Sequence, residues 1–183
     1  MNELRIARIL SAVLHPFVVA PLTVALVTRN WRWTGAIAAT TILPLAVLLL
    51  SRTRRRVWTD FDVSDRRQRP GLYYAAIPLL VLAALLVWFL GAPAWFLRSF
   101  AAIALLFAAG LLGNRFLKIS LHMMFGAFCL VGIARLHPMS IFLTVPLLAS
   151  LAWSRWRLER HTPAELAAGI ILGLAAGGVA VFL

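Results

Sequence analysis

Three short polar stretches interrupt a chain that is otherwise mostly apolar, and their residue types allow phosphate chemistry. In SRWRLERHTPAE at 154–165, His161 precedes Glu165 by four residues. A carboxylate beside an imidazole can hold one ring N–H, which fixes the tautomer and leaves the other nitrogen free as a nucleophile. Arg155 and Arg160 offer planar guanidinium donors for phosphate oxygens. This stretch therefore predicts a nucleophile with a phosphate clamp beside it.

The second stretch, NRFLKISLHMMFGAF at 114–128, places Lys118, Ser120 and His122 at the predicted start of a helix. Lys118 and His122 share a helical face if the helix begins early enough. Ser120 and the backbone N–H groups of a first turn make a seat for an anion. An ionisable residue within an apolar segment favours a functional interpretation.

The third stretch, WTDFDVSDRRQRPGLYY at 58–74, packs six charged residues into ten positions. They are Asp60, Asp62, Asp65, Arg66, Arg67 and Arg69. Two interpretations stay open. The aspartates could hold Mg²⁺ against a diphosphate, or the arginines could bind phosphate directly while the aspartates orient them.

The elements that carry these stretches must be membrane helices. The 183-residue chain is 62% hydrophobic and 13% charged, with a mean hydropathy of +0.91. A soluble domain with a wetted surface does not have this composition. The net charge of +12 lies in short loops, so anionic lipid headgroups are expected as partners in preference to nucleic acid. Cys129, the single cysteine, excludes an intramolecular disulfide.

The apolar runs predict an all-α, polytopic transmembrane bundle of six or seven helices, forming one domain over residues 1–183. The predicted helices are 5–28, 33–50, 71–90, 96–116, 119–135, 138–153 and 164–183. Thr162 is expected to cap the last of them, with Pro163 at its first position. The fifth and sixth are short, and the first carries His15-Pro16, interpreted as a kink or interfacial feature.

Seven crossings would bring the loop 51–70, the junction 114–122 and the loop 154–163 to the same membrane face as the N-terminus. Three polar clusters distant in sequence would then assemble one site. Arginines concentrate on that face, so the positive-inside rule predicts that it is cytoplasmic in a multi-pass protein of the cell membrane.

Taken in order, the three stretches resemble the type 2 phosphatidic acid phosphatase superfamily of integral membrane phosphatases. Its third signature, Ser-Arg, five residues, His, three residues, Asp, is matched by Ser154, Arg155, His161 and conservatively Glu165. Its second, Pro-Ser-Gly-His, is matched by Ser120 and His122. Its first, Lys, six residues, Arg-Pro, is matched by Arg69-Pro70. This sequence departs from the signatures at three positions: Asp62 replaces the lysine, Ile119 the proline and Leu121 the glycine.

The resemblance implies hydrolysis of a lipid phosphate or isoprenyl (di)phosphate without a metal or other cofactor. His161 would attack phosphorus to give a phosphohistidine, oriented by Glu165, while His122 protonates the departing oxygen. Arg155, Arg69 and Ser120 would bind the phosphate oxygens. Lys118, Arg66 or Arg67 would replace the missing cation, and Asp62 and Asp65 would orient these groups or, in the alternative, bind a metal.

Two other functions are weighed against the phosphatase. One is a Mg²⁺-dependent prenyl or phosphatidyl transferase that uses the aspartates of 60–65, although no second aspartate cluster completes such a site. The other is a small lipid transporter, which would require ionisable residues near the middle of the bilayer. Gly169, Gly173 and Gly177 recur every four residues on the last helix, a pattern that permits close contact within the bundle or in a homo-oligomer.

Overall fold

The computed structural model describes residues 2–182, which form helices joined by short loops. The helices are α1 (Glu3–Val13), α2 (Pro16–Thr28), α3 (Trp31–Ile37), α4 (Leu43–Arg54), α5 (Arg69–Phe89), α6 (Ala94–Gly113), α7 (Leu121–Leu136), α8 (Ile141–Arg157) and α9 (Pro163–Phe182). A π-helical turn, Ala38–Ile42, joins α3 to α4, and a 3₁₀ turn, Pro138–Ser140, precedes α8. The predicted all-α bundle is confirmed.

Most helix ends follow from local sequence. Thr162 Oγ1 accepts the Glu165 amide at 3.3 Å, and Glu165 Oε2 accepts the Thr162 amide at 3.1 Å. This reciprocal capping box, followed by Pro163, starts α9 as predicted. The segment predicted as one helix over 5–28 is instead two helices bent by 47°. His15 caps the second of them, because its Nδ1 accepts the Phe17 amide and Pro16 cannot continue the preceding hydrogen-bond ladder.

Fewer helices than predicted meet the requirements for crossing a membrane. Four are long and apolar enough, and the number rises to five if the bent pair α1 and α2 counts as one span. The prediction of six or seven crossings is therefore too high by this measure. In the described chain, α7 has only 16 residues, and α8 has 17 with Arg155 and Arg157 in its last turn. About 20 apolar residues are needed to cross the hydrocarbon core.

The glycines of α9 are used inside the bundle. A Cβ on Gly169 would lie 2.7 Å from the Ser120 carbonyl oxygen, and one on Gly173 would lie 2.3 Å from that of Met124. Gly177 faces the Val131 side chain in the same way. This small-residue face brings α9 directly against α7. The segment carrying Ser120 and His122 is therefore fixed beside the one carrying Glu165.

Candidate functional site

The three polar stretches converge at one end of the bundle, as the sequence predicted. Arg69, the first residue of α5, is 2% exposed and donates from Nε to the Val63 carbonyl at 3.1 Å. It also donates from Nη1 to the Ile119 carbonyl at 2.5 Å. The Ser120 amide donates to the Glu165 carbonyl at 3.2 Å. These bonds tie the loop before α5, the junction before α7 and the start of α9 into one unit.

His161 and Glu165 form the pair that the sequence predicted. His161 Nδ1 lies 3.1 Å from Glu165 Oε2 and 3.1 Å from the Lys118 carbonyl oxygen. Both neighbours are acceptors, so Nδ1 carries the ring proton and Nε2 keeps its lone pair. Burial, with the charges of Arg69, Arg155 and Lys118, lowers the pKa of His161 to about 3. The imidazole is thus neutral at physiological pH, the form that can act as a nucleophile.

Arg155 is held by two side chains from elsewhere in the chain. It is 2% exposed, and its Nη1 donates to Ser11 Oγ at 2.8 Å and to Asp62 Oδ2 at 2.5 Å. Its Nε is buried and has no partner within the described residues. Burial by itself would raise the pKa of the Asp62 carboxyl, but contacts with His15, His122 and Arg155 hold that pKa well below its usual value. Asp62 is therefore a carboxylate anion that forms an ion pair with the Arg155 guanidinium.

A second histidine group surrounds Asp62. His15 Nε2 lies 3.7 Å from Asp62 Oδ1, and the rings of His15 and His122 meet edge to face at 4.8 Å between centroids. The ligand-type atoms of these three residues lie within 4.8 Å of one another. His122 Nε2 is buried without a partner in the described chain. Among the described residues, these three form the one cluster whose spacing could hold a metal ion. Asp60 and Asp65 are not part of it.

Two cavities meet at this group. A narrow cavity of about 430 Å³ runs beside α7 from Leu121 and His122 to Arg135 and Leu136, with almost wholly apolar walls. A second cavity of about 800 Å³, the vestibule, is lined by the side chains of Arg8, Arg155, Arg157 and Arg160, together with Asp62 and Glu159. The residues lining both are His15, Phe17, Phe61 and Asp62.

Several predicted residues lie behind these cavities. His161, Glu165, Ser120, Lys118 and Arg69 line neither of the two. The Ser120 side chain caps α7 by accepting the Met123 amide at 3.5 Å. Because α7 begins at Leu121, Lys118 lies before the helix, and the shared helical face expected for Lys118 and His122 is absent. Burial lowers the pKa of the Lys118 ammonium, and neighbouring arginines lower it further.

Other charged residues of the loop have structural partners. Arg66 donates to the carbonyl oxygens of Arg115 and Phe116 at 2.9 and 3.2 Å, which joins the loop to the residues that follow α6. Asp65 accepts the Arg67 amide within its own turn. Arg160, undecided from sequence, pairs with Asp60 at 2.5 Å. The three aspartates thus have separate partners, an arrangement that gives no support to a shared magnesium site.

Sequence reasoning missed His15 and Ser11 as parts of the site. The available signal was a histidine that interrupts an apolar segment one residue before a proline. That signal identifies a helix start, yet the distance from His15 to Asp62 depends on the 47° bend that follows.

Comparison with known proteins gives no relative: no family model matches the chain, and no curated protein and no solved structure is significantly similar to it.

Proposed function

We propose that the chain is an integral membrane phosphatase that hydrolyses a lipid phosphate or isoprenyl (di)phosphate through a phosphohistidine at His161. The observation that carries the proposal is the junction of an apolar cavity with a basic vestibule at His15 and Asp62, where His122 lines the cavity side. A ligand that fills both compartments has a long apolar tail and an anionic head. Phosphorylated lipids and isoprenoids have this form.

The cavity suits a slender tail. It extends from the first to the last turn of α7, which at 1.5 Å per residue is roughly 20 Å. A fully extended polypeptide advances about 3.3–3.6 Å over three backbone bonds, or about 1.1–1.2 Å per bond. A hydrocarbon chain of about 18 bonds with the same advance would therefore fill the length of the cavity. Phe125, Phe128 and Leu45 are among its walls. The proposed substrate places one acyl or prenyl chain there.

The proposed head-group site is electropositive. The N-termini of α7 and α9 lie together, and each carries the partial positive charge of a helix start. The Arg69, Arg155 and Lys118 charges all act on His161. A phosphate beside His161 would have its charge balanced by these groups as negative charge shifts onto the leaving oxygen.

In the first step, His161 Nε2 attacks phosphorus, and an N–P bond forms as the bond to the leaving oxygen breaks. The electron pair stays on that oxygen, which takes a proton from the His122 imidazolium and leaves as the lipid alcohol, or as a monophosphate when the substrate is a diphosphate. Glu165 holds the Nδ1 proton throughout. His161 and Glu165 line neither cavity, so this step requires the head group to pass beyond Asp62 to reach His161.

In the second step, water attacks the phosphohistidine, and neutral His122 accepts a proton from that water. The N–P bond breaks, inorganic phosphate leaves, and both histidines return to their starting forms. The balance is one lipid phosphate and one water giving one lipid alcohol and one phosphate. No metal or other cofactor enters either step.

Binding requires Asp62 to move. The Asp62 carboxylate accepts from Arg155 Nη1 at 2.5 Å, at the donor that the proposal assigns to a phosphate oxygen. The proposal therefore includes separation of Asp62 from Arg155 as the head group enters from the vestibule. The unpartnered Arg155 Nε gives the phosphate a second donor on the same guanidinium.

The proposed setting is the cell membrane, with the site on the cytoplasmic face and a membrane lipid or isoprenoid phosphate as substrate. Homo-oligomerisation through α9 stays a prediction without structural support, since Gly169, Gly173 and Gly177 face α7 of the same chain.

The test is a phosphate-release screen on purified protein in detergent. The substrates are phosphatidate, phosphatidylglycerol phosphate and polyprenyl mono- and diphosphates, each assayed with and without chelator. We expect chelator-resistant release from at least one of them, lost in His161→Ala and His122→Ala. Release that survives His161→Ala removes the assigned nucleophile, and release abolished by chelator and restored by Mg²⁺ favours the transferase chemistry of the aspartates.

A lipid transporter is the second candidate, because the apolar cavity reaches both ends of α7. It predicts lipid movement between leaflets in proteoliposomes that His161→Ala leaves intact. The phosphatase predicts that the same variant loses phosphate release.

A further inference from the structure

We infer that Asp62 is a positioning residue of the proposed reaction, whose carboxylate favours a proton on His122, and that His15 helps to hold this carboxylate in place. The inference rests on the proposed function, and it assigns a role to two residues that the phosphatase signatures do not contain. Asp62 stands where the family signature has a phosphate-binding lysine. The side chain at this position is therefore negative in this chain and positive in the signature.

The tautomer of His15 follows from its hydrogen bond. Its Nδ1 accepts the Phe17 amide at 3.1 Å, so Nδ1 carries a lone pair and the ring proton of the neutral form is on Nε2. That N–H faces Asp62 Oδ1 at 3.7 Å. The same bond argues against a metal here, because a protonated Nε2 has no lone pair to donate. His15, Asp62 and His122 are therefore better described as a charge network.

The His122 imidazole needs such a network. It is 5% exposed and its Nε2 has no partner among the described residues, so a proton there would be poorly solvated. The titratable groups that face it are Arg155 from α8, His161 from the loop before α9, His15 from the start of α2, and Asp62. Burial lowers the pKa of His122 well below its usual value, Arg155, His15 and His161 lower it further, and Asp62 is the one of these neighbours that raises it. Without it, the proposed general acid has only neutral or cationic neighbours.

The site then contains two histidine-carboxylate pairs with opposite duties. Glu165 holds the Nδ1 proton of His161, whose environment keeps that imidazole neutral and nucleophilic. Asp62 supports positive charge on His122 and is itself held by His15, and by Arg155 until the head group binds. Environments that separate the proton affinities of two like groups are how a site assigns the acid and the base.

The experiment compares two leaving groups in the same protein preparations. An alkyl phosphate leaves as an alkoxide that needs a proton, whereas 4-nitrophenyl phosphate leaves as a stabilised phenolate that does not. The variants are Asp62→Asn and His15→Gln, with Asp62→Glu as the conservative rescue. The measured quantity is the ratio of kcat values on the two substrates, which does not depend on the folded fraction of a preparation.

We expect Asp62→Asn to lower the alkyl-to-aryl ratio at least about ten-fold, part of the 10²–10⁴ that general acid catalysis supplies. The alkaline limb of the alkyl profile should also shift to lower pH. His15→Gln removes the contact that holds Asp62 but also a neighbour that lowers the pKa of His122, so it should lower the ratio less than Asp62→Asn does. Asp62→Glu should restore much of the ratio. An unchanged ratio in Asp62→Asn overturns the inference alone, whereas a wild-type protein inactive on both substrates overturns the proposed function.

Discussion

The contact between α7 and α9 gives the sharpest prediction about the fold, and Gly173 is the place to perturb it. An ideal Cβ at Gly173 lies 2.3 Å from the Met124 carbonyl oxygen and 2.8 Å from Ala127 Cβ. Ordinary contacts begin near 3.4 Å, so Gly173→Ala must move the two helices apart by about 1 Å. The obstacle is backbone, which cannot rotate away. Overpacking of this kind costs about 1–3 kcal/mol, and we expect the upper end.

The matched control lies on the same helix. Gly178 has no heavy atom within 4 Å of its ideal Cβ. Both substitutions gain the same helix propensity, about 1 kcal/mol for Gly to Ala, so the difference between them isolates the packing term. A difference of about 3 kcal/mol corresponds to roughly 6–12 °C in Tm for a chain of this size.

The assay is thermal unfolding of both variants in one detergent, followed by intrinsic fluorescence. We expect Gly173→Ala to melt well below Gly178→Ala, and to lose phosphate release as well, because α7 carries His122 and α9 begins beside His161. Equal melting temperatures would refute the close packing of α7 on α9 and, with it, the way the two histidines are brought together.

Three further outcomes follow from the site. The pKa of His161 is about 3 in the folded chain and about 6.5 in the unfolded chain, so between these values the unfolded chain binds one more proton. The free energy of unfolding should therefore fall by about 2 kcal/mol from pH 7 to pH 5. Measurements of Tm against pH should show this fall, and the fall should be smaller in His161→Gln. Arg155→Met leaves the Asp62 carboxylate without its ion-pair partner and should lower the free energy of unfolding in urea by about 3 kcal/mol. Adding Asp62→Asn should recover most of this loss. A double variant no more stable than Arg155→Met contradicts the ion pair. Arg66→Ala removes two hydrogen bonds to the residues that follow α6 and should lower the free energy of unfolding by about 1 kcal/mol while leaving the substrate KM unchanged. Arg67→Ala, at an exposed position, is the neutral control. A raised KM in Arg66→Ala would show that Arg66 binds the phosphate.

The sequence predicted the parts of the site that depend on local rules and helix order. The start of α9 could be predicted because a capping box involves only four consecutive residues, here Thr162 to Glu165. Alternating helix directions bring the three polar stretches to one end whatever the exact helix length. The pairing of His161 with Glu165 follows in the same way from their spacing at the start of a helix.

Other features depend on angles and rotations that a linear pattern does not contain. His15 contacts Asp62 only because the chain bends by 47° at that residue. Arg66 and Arg69 have the same composition signal, yet one binds carbonyls at the surface and the other is buried beneath the site. The span count failed because α7 and α8 are too short, and helix rotation alone decided that Gly173 faces α7.

The central claim is that His161 accepts phosphate from an amphiphilic substrate, and direct detection of that covalent form tests it. Purified protein would be mixed with a ³²P-labelled lipid or isoprenyl phosphate that passes the screen, quenched in alkali within the first turnover, and digested for mass spectrometry. We predict one phosphate on the peptide containing His161, absent from His161→Ala and long-lived in His122→Asn. Steady release of phosphate from the wild-type protein with no label on that histidine, at any quench time, would contradict the account.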